Sequence, residues 1–191
     1  MLPNFTVASL KAALGSAIAV FQAGYNFRNI ITSVYTQVKT GFGVLGGLVV
    51  NTGGTASTVA LYNGISSVVT VSIATPGVVT WAGHPLAVGS AIKFQTTSAL
   101  PTGLTAGTTY YVISAGFGAN SFRVSATPGG AAVNTSGSQA GVQTAWDVSD
   151  PIGTYPSTAV ISPAIGAQFN QGLIAITADG GGAANVTVLY L

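Results

Sequence analysis

Apolar and polar side chains alternate along much of this chain with a period of two, the pattern of strands that bury one face. In "SAIKFQ" (90–95) Ile92 and Phe94 fall on one side and Lys93 and Gln95 on the other; in "NSFRVS" (120–125) Phe122 and Val124 point in while Ser121, Arg123 and Ser125 point out. Such segments predict half-buried antiparallel strands. "SVVTVSI" (67–73) puts Val69, Val71 and Ile73 on one face, and Asn63-Gly64, between it and "TVALY" (58–62), is a tight-turn signal. From Val44 onward β-branched residues, Gly and Thr dominate between turn clusters, so the expected fold is all-β. The N-terminus breaks the pattern. "VASLKAALGSAIAVFQ" (7–22) carries mostly small apolar residues and a thin polar face, and residues 1–32 read as an arm or short helix that docks on a neighbour.

An internal echo organises the rest. "GLVVNTGGTASTVALY" (47–62) matches "GLIAITADGGGAANVTVLY" (172–190) once the second copy has a loop three residues longer. Each copy reads as a hairpin of strand, Gly-rich turn and strand, and the two are expected to form corresponding parts of one antiparallel sandwich or barrel. Between them, residues 67–146 carry their own strands, among them "VVTVSIATPGVVTW", "TYYVIS" and "VQTAWDV". This stretch predicts an inserted β module with adjacent ends, and "SDPIGTYPSTAVISP" suits the return to the outer domain. The expected organisation is therefore an arm (1–32), a discontinuous outer domain (33–66 and 147–191) and an insert (67–146). The Thr- and Gly-rich "LPTGLTAGTTYYVI" (100–113) reads as a turn-rich connection feeding a strand, with Tyr110 and Tyr111 on opposite faces.

Composition adds one constraint. Charged residues are only 4% of the chain, against roughly 25% in ordinary globular proteins, while hydrophobic residues reach 48%. Five cations face Asp147, Asp150 and Asp179 and no Glu. A free monomer relies on charge to stay dispersed, so this surface is expected to be covered by other subunits in a homo-oligomer, with a trimer favoured. No apolar run approaches the ~20 residues of a membrane-spanning helix. Ala12–Phe21, the best of them, is half that length and also has the look of a short signal-peptide core; retention of Met1 weighs against cleavage. Expected strands of mostly 5–7 residues fall short of the ~9–11 of membrane barrels. The cations, Lys11, Arg28, Lys39, Lys93 and Arg123, are scattered, so neither direct nucleic-acid binding nor a membrane is expected despite a pI near 9.0. Without Cys, disulfides and thiolate chemistry are absent.

The residues of chemical interest read as structural. His84, the single histidine, lies in "WAGHPLAVG" with no triad motif, and reads as a turn residue whose ring bonds a nearby backbone group. Asp147 and Asp150 in "WDVSDP" are too close in sequence to face each other across a sugar cleft and read as turn formers; Asp179 in "ADGGGAAN" fits a loop tip better than a calcium loop. The Gly-rich runs have no Gly-Lys-Ser/Thr and are not phosphate cradles. The triplets at Asn4, Asn134 and Asn185 are assigned no role. Trp81, Phe94, Tyr110, Tyr111, Phe122 and Trp146 offer either a carbohydrate groove, which at most one of the two tyrosines can join, or a core, and core is the reading preferred, since each ring buries about 150–250 Å², on the order of 4–6 kcal/mol before entropy. No catalytic residue, cofactor or metal is expected, and no enzyme.

"VVTWAGHPLAVGSAIKFQTTSALPTGLTAGTTYYVISAGFGANSFRVSATPGGAAVNTSGSQAG" (78–141), a third of the chain, resembles a small β module of structural proteins in tailed bacteriophages, often tail-associated chains. The order "ALPTGLTAGTTYYVI" then "FRVSATPGGAAV" carries that resemblance. The flanking "TQVKTGFGVLGGLVVNTGGTASTVALYNG" and "GLIAITADGGGAANVTVLYL" look, less sharply, like another phage virion β domain. The resemblance implies a virion component and carries over no catalytic residue. The leading expectation is a capsid decoration (cement) protein on the phage head, bound to the major capsid protein or other virion proteins. The alternative is a tail or fibre component that binds a receptor or host surface glycan through the insert.

Overall fold

The computed structural model describes residues 25–53, 58–157, 161–162, 166–177 and 184–191. The first four strands are β1 (Asn26–Ile30), β2 (Thr36–Thr40), β3 (Gly43–Thr52) and β4 (Thr58–Asn63). Six follow: β5 (Ser66–Val71), β6 (Val79–Thr80), β7 (Ala91–Thr96), β8 (Thr109–Gly118), β9 (Ser121–Ser125) and β10 (Gln143–Asp147). The last are β11 (Asp150–Pro156), β12 (Ile161–Ser162), β13 (Ala167–Phe169), β14 (Gly172–Ile176) and β15 (Asn185–Tyr190). The protein is all-β, with no helix among the described residues and every strand pairing antiparallel.

Two sheets form a sandwich. Sheet A runs β1-β15-β3-β12, with β13 also on β3, and sheet B runs β11-β4-β14-β2. Between them lie Leu45, Leu48 and Val50 of β3, Val186 and Val188 of β15, Val59 and Leu61 of β4, and Leu173 and Ala175 of β14. Every residue of β14 is buried. That explains why "GLIAI" is a continuous apolar run: Leu173 and Ala175 face sheet A, while Ile174 and Ile176 face the other way into a second cluster. The remaining strands close into a barrel in the order β10-β5-β6-β9-β8-β7, all drawn from residues 66–147. Phe94, Phe122, Ile92, Tyr110 and Trp81 fill it with Val69, Val71, Val112 and Val124.

Barrel and sandwich meet on the outer face of sheet B. Trp146 and Val148, at the end of β10, pack with Tyr35, Ala60, Ile174 and Ile176, and Tyr62 and Ala91 flank them. The Tyr35 ring lies 5.8 Å from that of Trp146 and 6.2 Å from that of Tyr62. The chain enters the barrel through Asn63-Gly64-Ile65 and leaves it through Val148, with Ser66 and Trp146 paired where β5 and β10 start and finish.

Several expectations need correction. The echoed segments are not hairpins. β3 lies in sheet A and β4 in sheet B, and β14 and β15 likewise divide between the sheets. Exchanging β3 with β14 and β4 with β15 converts the central pair of one sheet, β15-β3, into that of the other, β4-β14, so the echo marks a pseudo-two-fold relation between the centres of the sheets. Asn63-Gly64 is not a hairpin turn but the junction between sheet B and the barrel; the apolar pattern on either side is the same in both cases. Asn26–Ile30, read as part of an arm, is strand β1; only Ile30 of the five is buried, so no alternation announces it. Ile73 lies past the end of β5 and is 46% exposed, whereas Ser125, expected outside, is fully buried with its hydroxyl donating to Thr127 O at 2.5 Å. The N-terminal arm through residue 24, Asn4, Asp179 and the Gly-rich tip at 54–57 lie outside the described residues.

Candidate interaction surfaces

The residues with chemical potential are held in structural roles. His84 donates from Nε2 to Gly118 O at 2.8 Å, edge-on to Phe122 with ring centroids 5.0 Å apart, and packs beside Trp81 and Phe117. This is the backbone-bonded turn histidine expected from the sequence. Asp147 is buried, its Oδ1 accepting from Ser149 N at 3.0 Å and Ser149 Oγ at 2.5 Å. Burial pushes its carboxyl above the ordinary carboxylate range; the two Ser149 hydrogen bonds pull it back in part, and nearby Asp150 adds to the rise. Asp150 accepts from Asn63 Nδ2 at 2.8 Å. Asn63 also donates to Asn170 Oδ1 and accepts from the amides of Asn170 and Gln171, so one buried side chain ties β4, β11 and the turn before β14 together. Among the described residues no group of three His, Asp or Glu is placed to hold a metal ion.

The segment 100–113 is a loop locked onto the barrel. Leu104 is buried, Gly107 N donates to Phe94 O at 2.9 Å, and the Tyr110 hydroxyl accepts from Thr105 N at 2.9 Å. Tyr110 is in the barrel core and Tyr111 half-buried on the opposite face. Trp81, Phe94 and Phe122 join Tyr110 inside, and Trp146 lies in the junction, so none of these rings forms an open sugar platform.

Two surfaces remain. The first is the outer face of sheet A. The barrel covers the corresponding face of sheet B, whereas on this one the Tyr25 ring lies over Gly46 of β3 and no strand of the barrel packs against it. Its outward positions include Phe27, Val49 and Leu189, then a polar strip in which Asn51 Nδ2 donates to Thr187 Oγ1 at 2.9 Å and Asn185 Oδ1 at 3.0 Å, with Asn29 alongside. Phe27 is 71% exposed. Tyr25, immediately before β1, lays its ring on Gly46 at a bulge in β3, so closely that it leaves no room for a Cβ there. None of these outward positions is ionised.

The second surface is a groove where the barrel meets the sandwich. Phe94 and Ala145 point into the barrel, so their neighbours on β7 and β10, Lys93, Gln95, Thr144 and Trp146, point outward towards residues 33–35. Two clefts of about 300 and 320 Å³ share Gln95 and Ala106. Lys93 Nζ stands 5.5 Å from the centroid of the Tyr35 ring. Sequence reasoning placed Lys93 and Gln95 outside but missed the groove, whose walls are 58 or more residues away from Ser33–Tyr35 along the chain at β7.

No family model, curated protein or solved structure matches this chain.

Proposed function

We propose that this protein is a non-enzymatic structural component of a tailed-phage virion, a capsid decoration protein that binds across coat subunits as a homotrimer. The observation that carries this reading is the uncharged outer face of sheet A, with Phe27 71% exposed at its edge. A sheet face of that kind is suited to burial against another polypeptide, and a chain with 4% charged residues has little else to keep its surface in water. The barrel, read as an inserted module, covers the opposite side of the sandwich and projects away from the docking face. The resemblance of residues 78–141 to phage structural modules supplies the setting. Quantifying the chain in purified virions and locating it by cryo-EM tests the reading: copies in fixed ratio to the coat protein on the head are expected, and a handful of copies confined to the tail overturns the head assignment.

A second reading, supported by the resemblance of residues 78–141 to modules of tail-associated chains, is a tail or fibre component whose barrel recognises a receptor or host glycan. Loss of adsorption without loss of particle stability on deleting the gene distinguishes it from a decoration role, in which particle stability falls and adsorption persists.

A further inference from the structure

We propose that the groove between barrel and sandwich binds an extended acidic segment of a partner protein, with Lys93 receiving its carboxylate. The inference rests on the assembly reading and names the chemistry of one partner contact. Two observations carry it. Lys93 is one of only five cations in the chain, and its amine is held at the Tyr35 ring in the floor of the groove. Among the described residues no carboxylate lines either cleft, so the described walls of the groove offer positive charge without a neutralising partner. A carboxylate brought there forms a charge-assisted hydrogen bond in a partly desolvated place, where such bonds are stronger than on open surface.

The shape favours a peptide over a sugar. The two nearest rings, Tyr35 and Trp146, are 4% and 7% exposed, so their faces are spent on the junction and no stacking platform is left. The rim instead presents separate β-branched side chains, Val34 at 50% and Val142 at 46% exposure. An extended chain, whose alternate side chains project to one side, can set apolar groups against these valines and a carboxylate at Lys93, while Gln95 and Thr144 serve its backbone amides and carbonyls. The joined clefts are of a volume that a short peptide segment fills.

The test is an NMR titration of the full-length 15N-labelled protein with the capped pentapeptide acetyl-Val-Thr-Asp-Val-Thr-amide, its Asn counterpart, and glucuronate as an acidic sugar. The Asp peptide is expected to shift the amides of Gln95, Ala106, Gly107 and Thr144, and the Asn peptide to bind about tenfold more weakly. Lys93→Met is expected to remove that difference and Lys93→Arg to keep it. Equal binding of the two peptides to the unmodified protein, shifts elsewhere, or tighter binding of glucuronate than of the Asp peptide overturns the proposal, and none of these depends on a variant folding. The two readings fail separately. Absence from virions with selective binding of the Asp peptide removes the assembly role alone, and a virion protein indifferent to the Asp peptide removes the groove alone.

Discussion

The Asp147 carboxyl lies where burial disfavours its charged form. Because its folded-state carboxyl titrates above the ordinary 3.8, the native protein holds that proton more tightly than the unfolded chain does. The native state therefore loses stability as pH rises through and above 3.8, and the penalty is complete once pH exceeds the folded value. Asp147→Asn keeps an oxygen for the Ser149 amide and hydroxyl but cannot ionise. Its urea midpoint is expected to exceed that of the parent at pH 7 and to converge with it near pH 4. A parent more stable at pH 7 contradicts the assignment. At this scale the sequence was legible wherever alternation was strict and the strand ran on: Ile92, Phe94, Phe122 and Val124 are all buried, and Tyr110 and Tyr111 divide as expected. It was not legible at Ser125, where a local hydrogen bond replaces water, nor at Ile73, where the strand has already ended.

Among elements, the junction turn is the most constrained connection. Gly64 N donates to Gly172 O at 2.9 Å, and a Cβ on Gly64 would run into the carbonyl oxygen of Asp147. Gly64→Ala is thus expected to cost about 1–3 kcal/mol through forced separation of β4, β14 and the exit from β10, read as a lowered urea midpoint with an unchanged slope. An unaffected midpoint means the backbone there yields easily. The Asn-Gly pair announced a turn but not its partners, since the two strands it joins belong to different layers. Period-two patterning fixes which side of a strand is apolar without saying what that side meets. The same limit explains why the echoed segments read as hairpins: a Gly-rich link between two strands looks alike whether it returns along one sheet or crosses to the next. The groove is the extreme case, since its polar residues resemble any solvated strand face until residues 33–35 are brought opposite them.

For the whole molecule, the barrel strands pair only among themselves, and the barrel's ends meet at the Ser66–Trp146 pair. Replacing residues 66–147 by a short Gly-Ser linker is expected to leave the sandwich folded, with a β-type far-UV CD spectrum. It also uncovers Tyr62, Ile174 and Ile176 on sheet B, so the shortened chain is expected to self-associate in sedimentation while the full chain does so less. Loss of all β signal means that the sandwich depends on the barrel for its fold. The pseudo-two-fold relation makes the central strand pairs of the two sheets equivalent, and the barrel breaks that equivalence by sitting on one of them. The molecule consequently has a front and a back: were copies laid in an array by the outer face of sheet A, every barrel would stand on its far side, an orientation decided within the single chain before any neighbour arrives.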